Sequence, residues 1–214
     1  MDLEQISSEL RDELDAKNTA REVGLSSCRR TIRACGNAIR ALHRYELETA
    51  EALIAEAQSS LNEAANALED HPDVRYAGFY HDAEKELVEA RLTFGLVTGR
   101  GVPAPKEMGS SPQAYAKGMA ESIGELRRHI LDLMRHGELK RCEELLGAMD
   151  DMYYVLVSMD YPDGITFGLR RLTDVARSII ERTRGDYTTS TIQSSLREAL
   201  EVHASNLEGR DTTR

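Results

Sequence analysis

Tryptophan is absent from the chain, phenylalanine occurs only three times, and five prolines are spread over 214 residues. Aromatic strand formers are therefore scarce, and so are the residues that interrupt helices. No run approaches the roughly 18 consecutive apolar residues that a membrane-spanning helix requires, so no membrane partner is expected. The opening stretch MDLEQISSELRDELD is acidic and polar, where a secretory leader is basic and then apolar; the expected location is the cytoplasm. Cysteine is scarce as well. Cys28 and Cys35 lie two helical turns apart, about 10 Å, too far for a disulfide, and Cys142 is distant in the chain. Small buried side chains in a reducing compartment are the expectation, since no zinc or redox motif is present.

Positive charge is the remaining shortage. The formal net charge is −10, which excludes a protein that coats nucleic acid over its whole surface and confines any such contact to a local patch. Only five of the 27 basic residues are lysines, at positions 17, 85, 106, 117 and 140, so 22 are arginines.

What the sequence does have is apolar spacing of three and four nearly throughout, which predicts an all-α chain. A long first helix carries Leu3, Ile6, Leu10 and Leu14, then Leu25, Cys28, Ile32, Cys35, Ile39 and Leu42. A second runs from Leu47 to Leu68 and stops before Pro72. A third follows that proline with Tyr76, Tyr80, Leu87, Ala90 and Val97. GRGVPAPKEMGSSP is the one long loop. A fourth helix leads through Met119 to Leu133 and ends at His136-Gly137, and a fifth spans Leu139 to Leu156. A sixth restarts at Pro162, and a last helix covers about Ser190 to His203. The expectation is a single bundle-like domain of about seven helices over residues 1–206, with a flexible tail at 207–214.

Charge is organised at two places. Arg29, Arg33, Arg40 and Arg44 fall on one face of the first helix, and between residues 21 and 44 six basic residues meet one acid. Such a stripe can follow the phosphates of a nucleic-acid strand, or it can be matched by acids of a neighbouring helix. A later stripe, Arg170, Asp174, Arg177, Glu181 and Arg184, alternates in sign and is expected to neutralise itself.

The second place is EKELVEA. At 100° per residue, Glu86 and Glu89 each precede a core position, Leu87 and Ala90, and share one edge of the apolar face. Glu84 and Lys85 are expected to point elsewhere, Glu84 into solvent. In the fourth helix Glu125 precedes the core residue Leu126, and Glu121 lies one turn earlier. Two boundary pairs facing across a helix–helix groove would repel one another unless a cation lay between them, and Mg²⁺ is the natural ion for carboxylates that leave positions open to phosphate oxygens. A di-iron bundle is excluded, because none of the six histidines has a glutamate three residues before it. Hydrolase triads and glycine-rich phosphate loops are likewise missing.

These motifs carry a resemblance. E-x-x-E-A at 86–90, G-x-x-[DE]-x-x-G-E-L at 118–126 and the late RRLTDVARSIIERTRGD helix resemble the translin superfamily, specifically translin-associated factor X and its archaeal relatives, in helix order from about Ala20 to Ala204. The resemblance implies a translin-like α-helical bundle and a Mg²⁺-dependent endoribonuclease, with Mn²⁺ as an alternative ion. Its catalytic and metal-binding acids would be Glu86, Glu89, Glu121 and Glu125. Glu121 departs from the aspartate of the eukaryotic pattern and is the least secure ligand. The resemblance further implies single-stranded RNA, or single-stranded DNA, held inside a homo-oligomeric shell, an octamer, and this gives the Arg29, Arg33, Arg40 and Arg44 stripe a concave surface. The alternative is a non-catalytic single-stranded nucleic-acid-binding protein of the same family. His129, one turn after Glu125, is expected to be structural.

Overall fold

The computed structural model describes residues 2–211, and among them there are helices and no strands. Asp2 opens α1 (Leu3–His43), its carboxylate accepting from the backbone N–H of Glu4 at 3.0 Å, the usual service of an N-cap acid. A short turn reverses the chain into α2 (Leu47–Ala67), which returns along α1, Ala50 packing near Leu42 and the Thr31 hydroxyl donating to the Ala57 carbonyl at 3.3 Å. The one-turn α3 (Pro72–Arg75) follows. Gly78, at φ +106°, then breaks the segment that periodicity had made continuous, and α4 (Phe79–Thr98) begins.

After α4 the chain doubles back through the one-turn α5 (Pro105–Met108) before α6 (Pro112–His136) starts. The return path is tightly fixed. A Cβ on Gly95 would collide with the Gly101 carbonyl oxygen, and the Tyr115 hydroxyl donates to the Pro103 carbonyl at 2.9 Å. The two return segments, α2 and residues 99–111, make α1, α4 and α6 run in the same sense. Going along them, Cys28 lies near Tyr80, Cys35 near Glu86 and Glu89, and Leu42 near Phe94, while Glu84 meets Ser111 and Glu89 lies near Glu121 and Glu125.

Then come α7 (Leu139–Val157), the one-turn α8 (Asp163–Thr166) and α9 (Leu169–Asp211). One apolar cluster packs Leu92, Ile123, Leu126, Ile130, Leu145 and Met149 between α4, α6, α7 and α9; another packs Cys35, Leu61, Leu68 and Leu87 between α1, α2 and α4. Because α4 belongs to both, the core is one body. All three cysteines are free and buried, and burial pushes the Cys28 and Cys35 thiols up to about 11 and about 12, far from reactive thiolates.

The helix boundaries differ from expectation at the C-terminal end. The two last helices are one, and along TTSTI the hydroxyls of Thr188, Thr189 and Thr191 donate back to the carbonyls of Arg184, Gly185 and Tyr187, satisfied without leaving the helix. The break falls earlier, at Phe167 (φ +52°) and Gly168 (φ +82°). Instead of about seven helices the described residues contain nine, three of them single turns. Of the tail expected at 207–214, α9 runs on to Asp211 and residues 212–214 lie outside the described residues.

Candidate metal and nucleic-acid site

Close approach of α4 and α6 depends on Gly118. A Cβ there would lie 2.7 Å from both the Lys85 carbonyl oxygen and the Val88 Cβ, neither of which can swing aside. Gly118→Ala is expected to lower folding stability by about 1–3 kcal/mol through overpacking and to separate the two helices; a denaturant midpoint unchanged from that of the parent chain would refute this contact.

With the backbones this close, the acid edges of α4 and α6 meet. Glu86, Glu89 and Glu121, all half-buried, each offer a carboxylate oxygen, and the three atoms lie within 4.8 Å of one another. The expected four-acid convergence is thus a trio, and it includes Glu121, the acid expected to be least secure. Glu125 is drawn aside. Its Oε2 accepts from His43 Nε2 at 2.5 Å, at the end of α1, and that hydrogen bond holds the Glu125 carboxyl below its ordinary range against the opposing effect of burial, with the charges of His43 and Arg128 adding to it. His43 itself is buried, and its Nδ1 has no partner among the described residues.

Two sequence expectations for EKELVEA are corrected. Lys85 points into the cluster, its ammonium 2.7 Å from Glu121 and 3.2 Å from Glu86, with 15% of the side chain exposed. Burial disfavours its charge, yet the hydrogen bond to Glu121 and the charges of Glu121 and Glu86 outweigh burial and raise its pKa. Glu84 is buried rather than solvated, and it accepts from the Ser111 backbone N–H at 2.9 Å and the Ser111 hydroxyl at 2.6 Å. It thereby anchors the N-terminus of α6, where a carboxylate is favoured by the exposed N–H groups. Glu89 carries the strain of the assembly. Burial first, then the charges of Glu86, Glu121 and Glu125, push its carboxyl up to about 8, with Lys85 acting in the other direction.

His129 is buried, with its ring 5.8 Å from that of Tyr45; burial lowers its pKa, and the charges of His43 and Arg141 add to that. The arginine face of α1 is exposed at Arg29, Arg33, Arg40 and Arg44, but it is not wholly without partners. Arg44 pairs with Glu46 at 3.0 Å, and Arg40 donates to Asn37. Arg29 and Arg33 have no ion pair among the described residues. In the α9 stripe only Arg177 and Glu181 pair internally, at 3.0 Å; Arg184 reaches Asp150 on α7, and Arg170 reaches Asp160.

No family model matches the chain. An uncharacterised protein of Methanocaldococcus jannaschii is 31% identical over 191 residues, which span 86% of this chain and 82% of the relative. AfC3PO, a translin-family protein solved alone and in complex with duplex RNA, superposes at TM-score 0.80 with 30% identity over 87% of this chain and 96% of its own. The chain belongs to the translin superfamily. NeC3PO, at 17% identity and TM-score 0.78 over 86% of this chain, shares the translin fold. Within this translin bundle, Lys85 and His43 are the site residues that sequence motifs did not reveal. Each belongs to a pair separated widely in the chain, His43 from Glu125 by 82 positions and Lys85 from Glu121 by 36, which local spacing does not register.

Proposed function

We propose that this chain is a Mg²⁺-dependent endoribonuclease that binds single-stranded RNA, or RNA with accessible single-stranded regions, and acts inside a homo-oligomeric shell. The observation that carries this reading is the convergence of Glu86, Glu89 and Glu121 in a member of a family whose relative AfC3PO holds duplex RNA. Three half-buried carboxylates with a cation already drawn into contact with two of them are hard oxygen donors suited to Mg²⁺ or Mn²⁺. No helix of the described residues is long and apolar enough to cross a membrane, which is compatible with work in the cytoplasm.

When bound, the ion would supply a water of lowered pKa and positive charge beside the reacting phosphate. Glu86, Glu89 and Glu121 would hold it. Glu125, kept ionised by His43, is a fourth acceptor beside the trio, oriented by a buried ring. Lys85 neutralises Glu86 and Glu121 while the trio is metal-free and must release at least one of them for both to become ligands. The exposed Arg29 and Arg33 guanidinium groups, with Arg40 and Arg44 farther along α1, provide phosphate contacts.

Assembly is supported by apolar side chains that have no cover within the chain. Leu3, Leu10 and Leu14 on α1 and Ile192, Leu196 and Leu200 on α9 are all more than half exposed, the pattern of helix faces that pack against other copies. An octamer is the expected size, read by sedimentation velocity, and a monomer at micromolar concentration would remove the shell.

A non-catalytic RNA-binding reading is favoured by the self-satisfied state of the cluster, where Lys85 and His43 already engage three of the acids. The Glu86→Ala/Glu89→Ala double variant separates the two readings. It is expected to keep RNA affinity and lose magnesium-dependent cleavage; RNA binding kept with cleavage equal to that of the parent chain would show that these acids do not carry the reaction and would sink the enzyme reading built on them.

A further inference from the structure

A cavity of about 570 Å³ lies between the start of α4, the start of α6 and the α8–α9 turn, within the usual range of about 300–1,000 Å³ for small-ligand sites. None of the acid trio lines it, but it precedes the trio along the same two helices. His81, Lys85 and Glu89 follow one line of α4, and Gln113, Lys117 and Glu121 follow one line of α6. Steps of four residues advance about 6 Å along a helix, so the cavity at His81, Gln113 and Lys117 is the station immediately before the trio in the same groove.

Its lining suits a base and its phosphates. Tyr76 and Phe167 are 82% and 57% exposed, and any nucleobase can stack on an aromatic face. Phe167 is held at φ +52°, a conformation unusual for a bulky residue, and its ring meets His81 edge-on at 5.3 Å. The His81 Nε2 is buried with no partner among the described residues, and burial, with the nearby Lys117 charge, favours the neutral ring. Arg75, braced 4.7 Å over the Tyr80 ring, and Lys117 are the cations of the lining. Of the two acids there, Glu84 is engaged by Ser111, and Asp82 is an exposed acceptor.

We propose that this cavity takes one unpaired nucleotide of the RNA strand, its base between Tyr76 and Phe167 with an edge toward His81 and Gln113, and its phosphates toward Arg75 and Lys117. The assignment rests on the RNA reading above. A base can enter such a cavity only when it is out of a duplex stack. The site therefore selects unpaired strand beside the acid trio.

The test uses the full chain without divalent cation, so that no RNA is cut, at about 0.15 M salt. Fluorescence anisotropy compares a short single-stranded oligoadenylate with a blunt, fully paired RNA duplex for the parent chain and for Tyr76→Ala/Phe167→Ala. The variant is expected to lose about tenfold or more in affinity for the single strand, to bind the duplex as the parent does, and to keep the parent's affinity for Mn²⁺; Tyr76→Phe/Phe167→Tyr is expected to retain single-strand affinity. An equal loss on both RNAs, no loss on either, or a changed assembly size with unchanged RNA affinity overturns the proposal, the last outcome marking the face as a contact between copies. A parent chain that binds neither RNA overturns the RNA reading itself, whatever the variant does.

Discussion

Lys85→Met is expected to tighten divalent-cation binding at the acid trio by about tenfold or more while weakening the metal-free fold. In the parent chain an arriving ion must displace an ammonium that lies 2.7 Å from Glu121 and 3.2 Å from Glu86. A unit charge about 4 Å away is worth up to about 4 kcal/mol at a protein surface, and only a part of that is needed for a tenfold effect. Methionine keeps an unbranched side chain of similar length and removes the competing charge. Without metal, Glu86, Glu89 and Glu121 then face one another uncompensated, so the variant's melting temperature should fall below the parent's in EDTA and recover more steeply on adding Mn²⁺. Titration calorimetry reads the affinity. Weaker binding by Lys85→Met would show instead that Lys85 organises the ligands rather than competing with the ion.

Glu89 gives the second large effect, with a pH signature. Its carboxyl titrates near 4.5 when free and is pushed up to about 8 in the folded chain, chiefly by burial and by the neighbouring acids. Between those two values the folded chain keeps a proton that the unfolded chain has released. Metal-free stability therefore declines, through this group, as pH rises from about 4.5 to about 8, and the loss is complete above that. Glu89→Gln keeps the shape without the titration, so its stability should lack this decline and exceed the parent's at alkaline pH. Cation binding makes the opposite demand, because a ligating carboxylate must be bare. Binding at pH 7 is expected to release close to one proton, as calorimetry in buffers of differing ionisation enthalpy would show, and to strengthen toward pH 8. Glu89→Gln should lose on the order of a hundredfold in cation affinity. Proton-free binding at pH 7 would contradict the assignment of Glu89 as a ligand.

Much of this molecule was legible from spacing, and the exceptions have physical causes. Repeats of three and four located the long helices, and Gly137 at φ +78° ends α6 where a terminal glycine was expected. The last helix was expected to begin only at about Ser190, yet threonine hydroxyls can return to the preceding turn without ending a helix, and they do so here. Conversely, Phe167 gave no sign of a left-handed turn, since such positions favour glycine or asparagine. In EKELVEA the helical wheel placed Glu86 and Glu89 correctly and misplaced their neighbours. A wheel locates Cβ, whereas the Lys85 ammonium stands at the end of a long flexible stem that reaches sideways to the cluster. Glu84 was misread because its partner, Ser111, is 27 residues away across the return loop. Glu125 stands outside the trio for the same kind of reason, its partner His43 lying at the end of another helix.

On the proposed reading, α4 and α6 build a cation site from Glu86, Glu89 and Glu121, guarded by Lys85. A crystal of the full chain soaked in Mn²⁺, with anomalous scattering recorded at the manganese edge, tests it most directly. The expected result is an anomalous peak ligated by all three carboxylates, with the Lys85 ammonium withdrawn from Glu86, Glu121 or both. A map without that peak at saturating Mn²⁺, with Lys85 still bridging the two glutamates, would contradict it.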